Sequence, residues 1–315
     1  MQKLPKTMQY GLIKNSTDLR DLRFTGADDY ISSWYKYLPT NEMQIGTYFD
    51  TSGCVTFAIL NQIETKLNSL PHNQWLEENG YYDKNNKVNF SERFCLIQNG
   101  TTNRGNSGRK VYNSLRKTGL IPESRLPYPR LQREPVFDWD DFYDESVITD
   151  EMIALGKEFK ERFDIKYYFV EQGQITEALK DSPLLCYVRT SCTEKIGCTG
   201  KPNHAVMYFT EDLLKGYMQV YDSYESSDKD YIRLMDKDYE FVYRLYSIKI
   251  KEEIMTNVKI IANKAKGSEL GFYIPIKSEE AFESNCENYG LPVPKTGNGK
   301  IDWSKVEISG ETSIK

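Results

Sequence analysis

The feature that most constrains this sequence is a turn-forming run at residues 50–53, Asp-Thr-Ser-Gly, that leads without a break into a helical pattern. The apolar residues that follow share the spacing of a helix with one buried face: Val55, Ile59, Ile63, Leu67 and Leu70. Cys54 therefore lies on the first turn of a buried helix. Because the unpaired amides and the positive dipole end of a helix N-terminus favour a thiolate, this position suits a nucleophilic sulfur. A small buried hydrophobic residue is the alternative interpretation.

The composition is that of a globular protein. Of the 315 residues, 39% are hydrophobic and 13% aromatic, enough to bury the core of two lobes or of one large domain with an extension. The net charge of −5 is spread without a long basic run, which argues against nucleic-acid and anionic membrane partners. No apolar stretch approaches the ~18 residues of a membrane span, and the sequence starts without the apolar part of a secretion signal. We therefore expect a soluble protein, cytoplasmic or virion-associated.

The cysteines do not form a metal-binding pattern. They are scattered along the chain: Cys54, Cys95, Cys186, Cys192, Cys198 and Cys286. Only Cys192 and Cys198 are close in sequence, across what we interpret as a hairpin tip, and zinc would need further ligands from a chain with only two histidines. We expect no metal, no cofactor and mostly free thiols in a reducing compartment.

The periodicity of the sequence changes near the middle of the chain. Residues 41–128 are predicted to be mainly helical and form a helical half that carries Cys54. Residues 129–250 hold short apolar runs rich in β-branched and aromatic residues, which predict an antiparallel sheet or barrel, the β half. A helical half followed by a β half indicates an α+β fold. We interpret residues 1–40 as an N-terminal wrapping segment and residues 251–315 as a C-terminal extension.

Individual elements can be predicted within these regions. The strand-sized runs are 167–170, 184–188, 205–209, 217–221, 231–234 and 241–246. Helical spacing predicts helices at 150–163 and 174–180, and a surface helix at 251–267. The acidic, proline-bearing stretch 129–150 is interpreted as a solvated connecting loop.

A cysteine nucleophile needs a base and usually a third group that orients the base. His72 lies at the far end of the helix of Cys54, ~27 Å away, so we expect a surface or packing role for it. His204 begins a predicted strand, and Asp222 follows the next one. Because adjacent antiparallel strands can bring these positions together, Asp222 could orient His204 towards the thiol. A core histidine and a turn aspartate are the alternative interpretation.

Segments around these residues resemble the papain-like cysteine peptidases. Residues 52–58, Ser-Gly-Cys-Val-Thr-Phe-Ala, resemble the family's Gly-Ser-Cys-Trp-Ala-Phe, and residues 203–206, Asn-His-Ala-Val, resemble its Asp/Asn-His-Ala-Val. Residues 222–224, Asp-Ser-Tyr, take the place of its Asn-Ser-Trp. The resemblance runs over most of residues 38–250, with weaker similarities at 90–92, 106–108, 119–128 and 231–234. The richness in lysine, asparagine and tyrosine is typical of an AT-rich genome, which suggests a divergent bacterial or phage member.

The resemblance implies a papain-like fold, with the helical half packed against an antiparallel β-barrel-like half and an active-site cleft between them. It also implies roles for individual residues. The catalytic residues would be Cys54, His204 and Asp222. The oxyanion hole would use the Cys54 amide and Tyr48, which stands where the family has a glutamine, with Gln44 and Thr51 as alternative donors. The substrate-binding residues would be Ser107, Gly108 and Asn203.

The sequence thus predicts a cysteine peptidase that hydrolyses peptide bonds of a peptide or protein substrate through a thioester acyl-enzyme. Other cysteine–histidine–aspartate acyl-transfer enzymes are an alternative, among them transglutaminases, arylamine acetyltransferases and cell-wall peptide amidases, because the residues fix the mechanism better than the substrate. A second alternative is a catalytically weak or inactive relative that serves as a structural or binding component of a larger assembly. In either case residues 251–315 leave room for a docking partner.

Overall fold

A computed structural model describes two units of the chain, residues 1–251 and 252–315, each of which is described by itself. The described residues of the first unit are 11–13, 22–26, 31, 33–40, 44, 50–129, 138–188, 203–212, 217–224, 232–236 and 245–251. Those of the second unit are 252, 256–261, 271–276, 283, 293, 295, 300–301 and 306–309.

The helices and strands follow the predicted order of a helical half and a β half. The α-helices are α1 (Cys54–Asn68), α2 (Gln74–Glu78), α3 (Glu92–Gln98), α4 (Gly108–Thr118), α5 (Trp139–Phe142), α6 (Asp150–Arg162) and α7 (Ile175–Asp181). The strands are β1 (Phe163–Val170), β2 (Leu184–Val188), β3 (His204–Asp212), β4 (Tyr217–Tyr221), β5 (Ile232–Asp236), β6 (Leu245–Glu252), β7 (Thr256–Ile261), β8 (Gly271–Ile276) and β9 (Val306–Ser309).

Helix α1 is buried on all sides rather than along one stripe. Every residue from Cys54 to Leu67 is buried, including the polar Gln62, Glu64 and Lys66. The helix contacts α3 and α4 of the helical half and β2 and β3 of the sheet, so no face is left to solvent. The predicted helix is confirmed, but its buried stripe is wider than predicted because the sheet covers the face that the pattern assigned to water.

The polar side chains of α1 bond the helix to the β half. Gln62 Nε2 donates to the carbonyl oxygens of Pro183 at 2.6 Å and Tyr246 at 2.8 Å. Lys66 Nζ donates to the carbonyl oxygen of Asp181 at 2.6 Å. Because an unpaired buried donor costs about 1–3 kcal/mol, these bonds fix the placement of α1, and of Cys54 at its start, against the sheet.

Six strands of the first unit form one sheet in the order β1-β6-β2-β3-β4-β5. β2, β3, β4 and β5 pair antiparallel in sequence order, and β6 pairs antiparallel with the other side of β2. In this register Val188 lies opposite His204, and Met207 lies opposite Tyr221. The start of β3 and the end of β4 therefore lie at the same end of the sheet. The prediction of an α+β fold is confirmed.

Most local predictions agree with the structure. The helices predicted at 150–163 and 174–180 are α6 and α7, and the strands predicted at 184–188 and 217–221 are β2 and β4. The run predicted at 241–246 overlaps only the start of β6, since residues 241–244 lie outside the described residues. The predicted hairpin tip at Cys192 and Cys198 lies outside them too.

The acidic stretch 129–150 is more structured than the predicted solvated loop. Helix α5 lies within it and begins with a capping box, in which Asp138 and Asp141 each accept a hydrogen bond from the backbone amide of the other. Phe142 at the end of α5 is fully buried, with its ring centroid 5.4 Å from that of Tyr128. One aromatic side chain thus anchors a segment whose charge density predicted exposure.

The predicted surface helix at 251–267 is wrong. Residues 256–261 form β7, which pairs antiparallel with both β8 and β9 in a sheet of order β8-β7-β9. The β-branched residues Thr256, Val258 and Ile260 alternate with a period of two, and β-branched residues favour strands over helices. The helical spacing rested on too few apolar positions to outweigh this alternation.

Candidate active site

Cys54 is the first residue of α1, as predicted, and it is fully buried. The N-cap before it is Gly53, where a Cβ would lie 3.0 Å from a side-chain carbon of Leu96 and 3.2 Å from the Thr51 hydroxyl. The crowding favours glycine at this position. Because the first amides of an α-helix have no acceptor in the preceding turn, the sulfur is attached at the positive end of the helix dipole.

The turn before Cys54 has a left-handed residue other than glycine. Ser52 has φ +53° and is buried. The left-handed backbone conformation costs roughly 1–2 kcal/mol for a residue other than glycine, so contacts with neighbouring residues must hold Ser52 in it. The Ser52 amide donates to Asp50 Oδ1 at 2.8 Å, and its hydroxyl donates to the Asn103 carbonyl oxygen at 3.3 Å. The conformation that presents Cys54 therefore depends on the Asp50 carboxylate.

His204 and Asp222 meet at the end of the sheet. His204 is the first residue of β3, Asp222 directly follows β4, and the two side chains are 1% and 3% exposed. His204 Nε2 and Asp222 Oδ1 are 2.8 Å apart. The same carboxylate oxygen accepts the Tyr224 amide at 3.0 Å. The structure thus brings the predicted base and orienting acid together; their catalytic roles stay predictions.

The surroundings of His204 favour its protonated form. Burial alone would lower the pKa of the imidazole, but the charges of Asp222 and Cys54, together with the hydrogen bond to Asp222, raise the pKa from 6.5 to about 10. Since Nε2 is bonded to Asp222, Nδ1 is the nitrogen left to serve Cys54. The arrangement therefore favours the imidazolium form of His204 at neutral pH.

Tyr224 lies against this pair. Its ring centroid is 5.0 Å from that of His204, and it is buried. Burial, followed by the negative charges of Asp50 and Cys54, raises the pKa of the Tyr224 hydroxyl far above its ordinary value. The hydroxyl therefore keeps its proton, which it donates to Asp50 Oδ2 at 2.7 Å. Sequence reasoning placed Tyr224 beside Asp222 in the resembling segment but gave no role to it or to Asp50.

The predicted oxyanion donors differ in whether they are described and whether their protons are already engaged. Tyr48 lies outside the described residues. Gln44 Nε2 donates to Asp50 Oδ1 at 3.0 Å and to the Tyr224 hydroxyl oxygen at 2.6 Å, which engages both amide protons. The Thr51 hydroxyl lies 3.3 Å from the Gln44 carbonyl oxygen, to which it donates. Among the described candidates, the Cys54 amide is thus the donor that the helix geometry leaves for an oxyanion.

The predicted substrate-binding residues serve structural roles in this state. Ser107 is the N-cap of α4, and its hydroxyl accepts the Lys110 amide at 3.4 Å. The Gly108 amide donates to the Tyr187 hydroxyl at 2.8 Å. The Asn203 amide donates to the Val188 carbonyl oxygen at 3.0 Å, which extends the β2–β3 pairing. Their contact with a substrate stays a prediction.

Residues 11–13 run beside the nucleophile turn. The Ile13 amide donates to the Asn106 carbonyl oxygen at 2.6 Å, and the Asn106 amide donates to the Gly11 carbonyl oxygen at 2.7 Å, in a parallel bridge. A Cβ at Gly11 would lie 1.9 Å from the Ser52 carbonyl oxygen. Only glycine can therefore pass at this distance from the turn that presents Cys54.

The site is closed to solvent in this structure. Cys54 is 0% exposed and His204 is 1% exposed. A substrate can reach the sulfur only if part of the surrounding chain moves.

The other histidine is remote from these residues, as predicted. His72 is partly exposed, its ring is stacked on Tyr82 with centroids 4.7 Å apart, and its Nε2 lies 3.0 Å from a Glu77 carboxylate oxygen. No group of three histidine, cysteine or carboxylate side chains within the described residues could hold a metal ion. In that part of the chain no helix is long and apolar enough to cross a bilayer.

Comparisons with known proteins add to this geometry. Neither the models of protein families nor the curated proteins give a match. Among solved structures, xylellain, a cysteine protease from Xylella fastidiosa, is 16% identical with a TM-score of 0.56 over 79% of this chain and 98% of its own. Procathepsin B S9 from Trypanosoma congolense is 13% identical with a TM-score of 0.50 over 78% of this chain and 87% of its own.

These likenesses extend along most of the chain, which itself has a helical half followed by an antiparallel sheet. Identities this low carry the fold and not the activity. The chain has the fold of the papain-like cysteine proteases.

Proposed function

We propose that this protein is a cysteine peptidase that cleaves peptide bonds of a peptide or protein substrate with Cys54, His204 and Asp222. The observation that carries the proposal is the position of His204. Its ring is bonded to the Asp222 carboxylate and interacts with Cys54, and the two together raise its pKa to about 10. A nucleophile, a base and an acid that orients the base are the parts that acyl transfer by a thiol needs.

In the acylation step, the Cys54 thiolate attacks the carbonyl carbon of the scissile peptide bond, and a carbon–sulfur bond forms. The carbonyl oxygen becomes an oxyanion within reach of the Cys54 amide. The His204 imidazolium then gives its Nδ1 proton to the leaving nitrogen, and the carbon–nitrogen bond breaks. The products are a free amine and a thioester on Cys54.

In the deacylation step, neutral His204 takes a proton from water through Nδ1. The hydroxide equivalent attacks the thioester carbon, and the carbon–sulfur bond breaks. The acid product leaves, and the thiolate and imidazolium are restored. Asp222 holds Nε2–H throughout, which keeps Nδ1 directed at the reacting atoms.

A second candidate is a weakly active or inactive relative that works as a structural or binding component. Two observations favour it: the site is closed at Cys54, and the amide protons of Gln44 are engaged by Asp50 and Tyr224. Loss of one oxyanion donor costs about 3–4 kcal/mol of transition-state stabilisation, enough to leave a poor enzyme.

Residue-resolved alkylation with iodoacetamide at about pH 6 distinguishes the two candidates, because ordinary thiols are protonated there. Cys95 and Cys186 are internal references, since burial raises the pKa of both thiols. A peptidase predicts selective labelling of Cys54 that is lost in His204→Ala. Equal, slow labelling of all three thiols would favour the structural component.

A peptide library read by mass spectrometry tests the reaction itself. Hydrolysed products that disappear in Cys54→Ala support a peptidase. Products joined to an added amine instead of water would indicate one of the other acyl-transfer enzymes.

A further inference from the structure

Asp50 is bonded on both of its carboxylate oxygens, and the two oxygens face different halves of the unit. Oδ1 accepts the Ser52 amide at 2.8 Å, within the turn that presents Cys54. Oδ2 accepts the Tyr224 hydroxyl at 2.7 Å, from the segment that follows β4. One side chain therefore links the nucleophile turn of the helical half to the histidine side of the site.

Tyr224 continues this link to the imidazole. Its backbone amide donates to Asp222 Oδ1 at 3.0 Å, the oxygen that is also bonded to His204 Nε2. Its ring lies 5.0 Å from the His204 ring, centroid to centroid. A shift of Tyr224 would therefore move both the acceptor that orients His204 and the ring that packs on it.

Gln44 reinforces the same connection. Its Nε2 donates to Asp50 at 3.0 Å and to the Tyr224 hydroxyl oxygen at 2.6 Å, while its Oε1 accepts the Ser223 hydroxyl at 2.7 Å. The Gln44 amide also donates to the Ser223 carbonyl oxygen at 3.0 Å. Gln44, Asp50, Ser223 and Tyr224 thus form a hydrogen-bonded group across the two halves, which we call the cross-half network.

From this geometry we infer that Asp50 is a positioning residue: through Ser52 on one side and Tyr224 on the other, it sets the register of Cys54 against His204. The inference rests on the proposed function. Asp50 acts through other residues and needs no contact with the substrate. The left-handed Ser52 supports the assignment, because a strained turn keeps its shape only while its surroundings hold it.

If Asp50 acted only through the electrostatic effect of its charge on Cys54, its replacement would change the reactivity of Cys54 in the opposite direction. A carboxylate close to Cys54 disfavours the thiolate, so its removal would make the sulfur more reactive at low pH. A positioning role predicts less reactivity, because loss of the link loosens the placement of Cys54 against His204. The sign of the change therefore separates the two roles.

The test compares Asp50→Asn with Tyr224→Phe in the full chain. Asparagine keeps one oxygen that can accept the Ser52 amide but loses the acceptor for Tyr224. Phenylalanine keeps the ring on His204 and the Asp50 charge but loses the hydroxyl. Tyr81→Phe is the matched control, since its hydroxyl is buried and donates to the Leu120 carbonyl oxygen, away from the site.

The measurement is the pH dependence of Cys54 alkylation by iodoacetamide, followed by peptide mapping. We expect the rate at about pH 6 to fall about tenfold in each single variant, the factor for one lost hydrogen bond to a charged group, and to stay unchanged in Tyr81→Phe. The double variant should be no slower than the slower single variant, because both remove the same link.

Three results would overturn the inference. The first is an alkylation rate of Cys54 at about pH 6 that is unchanged in both single variants. The second is a faster rate in Asp50→Asn with no change in Tyr224→Phe. The third is a double variant in which the two losses of rate add. Failure of the proposed function looks different, because the wild-type protein itself would then show no His204-dependent labelling at about pH 6. If Asp50→Asn does not fold, Tyr224→Phe alone carries the test.

Discussion

His204 and Asp222 are 18 residues apart in sequence and share a buried hydrogen bond of 2.8 Å between Nε2 and Oδ1. The antiparallel pairing of β3 with β4 makes this contact possible, since the strands lie side by side with Met207 opposite Tyr221. The bond fixes the imidazole with Nε2 towards the acid. The nitrogen left to serve Cys54 is therefore determined by the fold rather than by the substrate.

Asp222→Asn is expected to shift the pH range of activity without abolishing it. Asparagine offers an oxygen to His204 but no charge, so the pKa of His204 should fall from about 10 towards its ordinary value. The alkaline limb of peptide hydrolysis should then move to lower pH. The measurement is the pH profile of hydrolysis for the wild type and the variant.

Asp222→Ala extends this comparison. It removes the acceptor as well as the charge, so its activity at neutral pH should fall further, by about 1.5–3 kcal/mol of transition-state stabilisation. An alkaline limb that stays in place in Asp222→Asn would mean that the Asp222 charge is not what keeps His204 protonated.

The stability of the protein should depend on pH through His204. Its pKa is raised in the folded state, from 6.5 to about 10, so the stabilisation is fully present below about pH 6.5 and is lost as the pH rises towards about 10. The free energy of unfolding of the wild type should therefore fall more steeply across this interval than that of His204→Gln. Urea denaturation at a series of pH values measures both slopes.

His72→Gln is the matched control for this experiment. His72 is the other histidine of the chain, and its ring is partly exposed and stacked on Tyr82. Its replacement should leave in place the part of the slope that depends on Asp222 and Cys54. Equal slopes in the wild type and in His204→Gln would show that the charges around His204 do not favour its protonated form.

The elements that carry the candidate site could be predicted from local sequence patterns. Cys54 follows a turn-forming run and starts a helix, and β2 and β4 are short, mainly apolar runs of strand length. Each of these patterns reports on neighbours within a few residues along the chain. His204 and Asp222 could be paired because their two strands are sequence neighbours.

Contacts between distant parts of the chain could not be predicted this way. Asp50 and Tyr224 are 174 residues apart, and nothing in either local segment indicates the other. The same holds for Gln62 on α1, whose partner Tyr246 lies 184 residues away in β6. The cross-half network and the second buried face of α1 depend on how the sheet packs, which periodicity does not report.

Gly11→Val is expected to open the site. A Cβ at Gly11 would lie 1.9 Å from the Ser52 carbonyl oxygen, so residues 11–13 must leave their position beside Asn106. If this segment limits access, the alkylation rate of Cys54 should rise by a similar factor at every pH. A change in the ionisation of Cys54 and His204 would instead alter the alkylation rate by a factor that depends on pH.

Gly173→Val is the control for Gly11→Val, since Gly173 is exposed and a Cβ there meets no atom within 4 Å. Iodoacetamide should label Cys54 of this variant at the wild-type rate. Faster hydrogen exchange of the Ile13 amide in Gly11→Val would show that residues 11–13 are displaced. If Cys54 is nevertheless alkylated at the wild-type rate, other parts of the chain close the site.

Phe142→Ala should destabilise the protein although it lies in an acidic stretch. The ring is fully buried, 5.4 Å from the Tyr128 centroid, and the Arg93 guanidinium lies 5.4 Å from the Phe142 centroid. Truncation of a buried phenylalanine leaves a cavity and costs about 3–5 kcal/mol. Chemical denaturation measures the loss. The matched control is Ile153→Ala, an exposed apolar residue of α6 whose loss should change stability by no more than about 0.5 kcal/mol.

Phe142→Ala should also affect the reactivity of Cys54. Tyr143, directly after α5, donates from its hydroxyl to the Thr51 carbonyl oxygen at 2.7 Å, so α5 is bonded to the turn that presents Cys54. Loss of the Phe142 anchor should therefore slow Cys54 labelling at about pH 6 even at denaturant concentrations where the protein stays folded. A variant that loses stability but labels Cys54 at the wild-type rate would show that α5 stabilises the fold without supporting the turn.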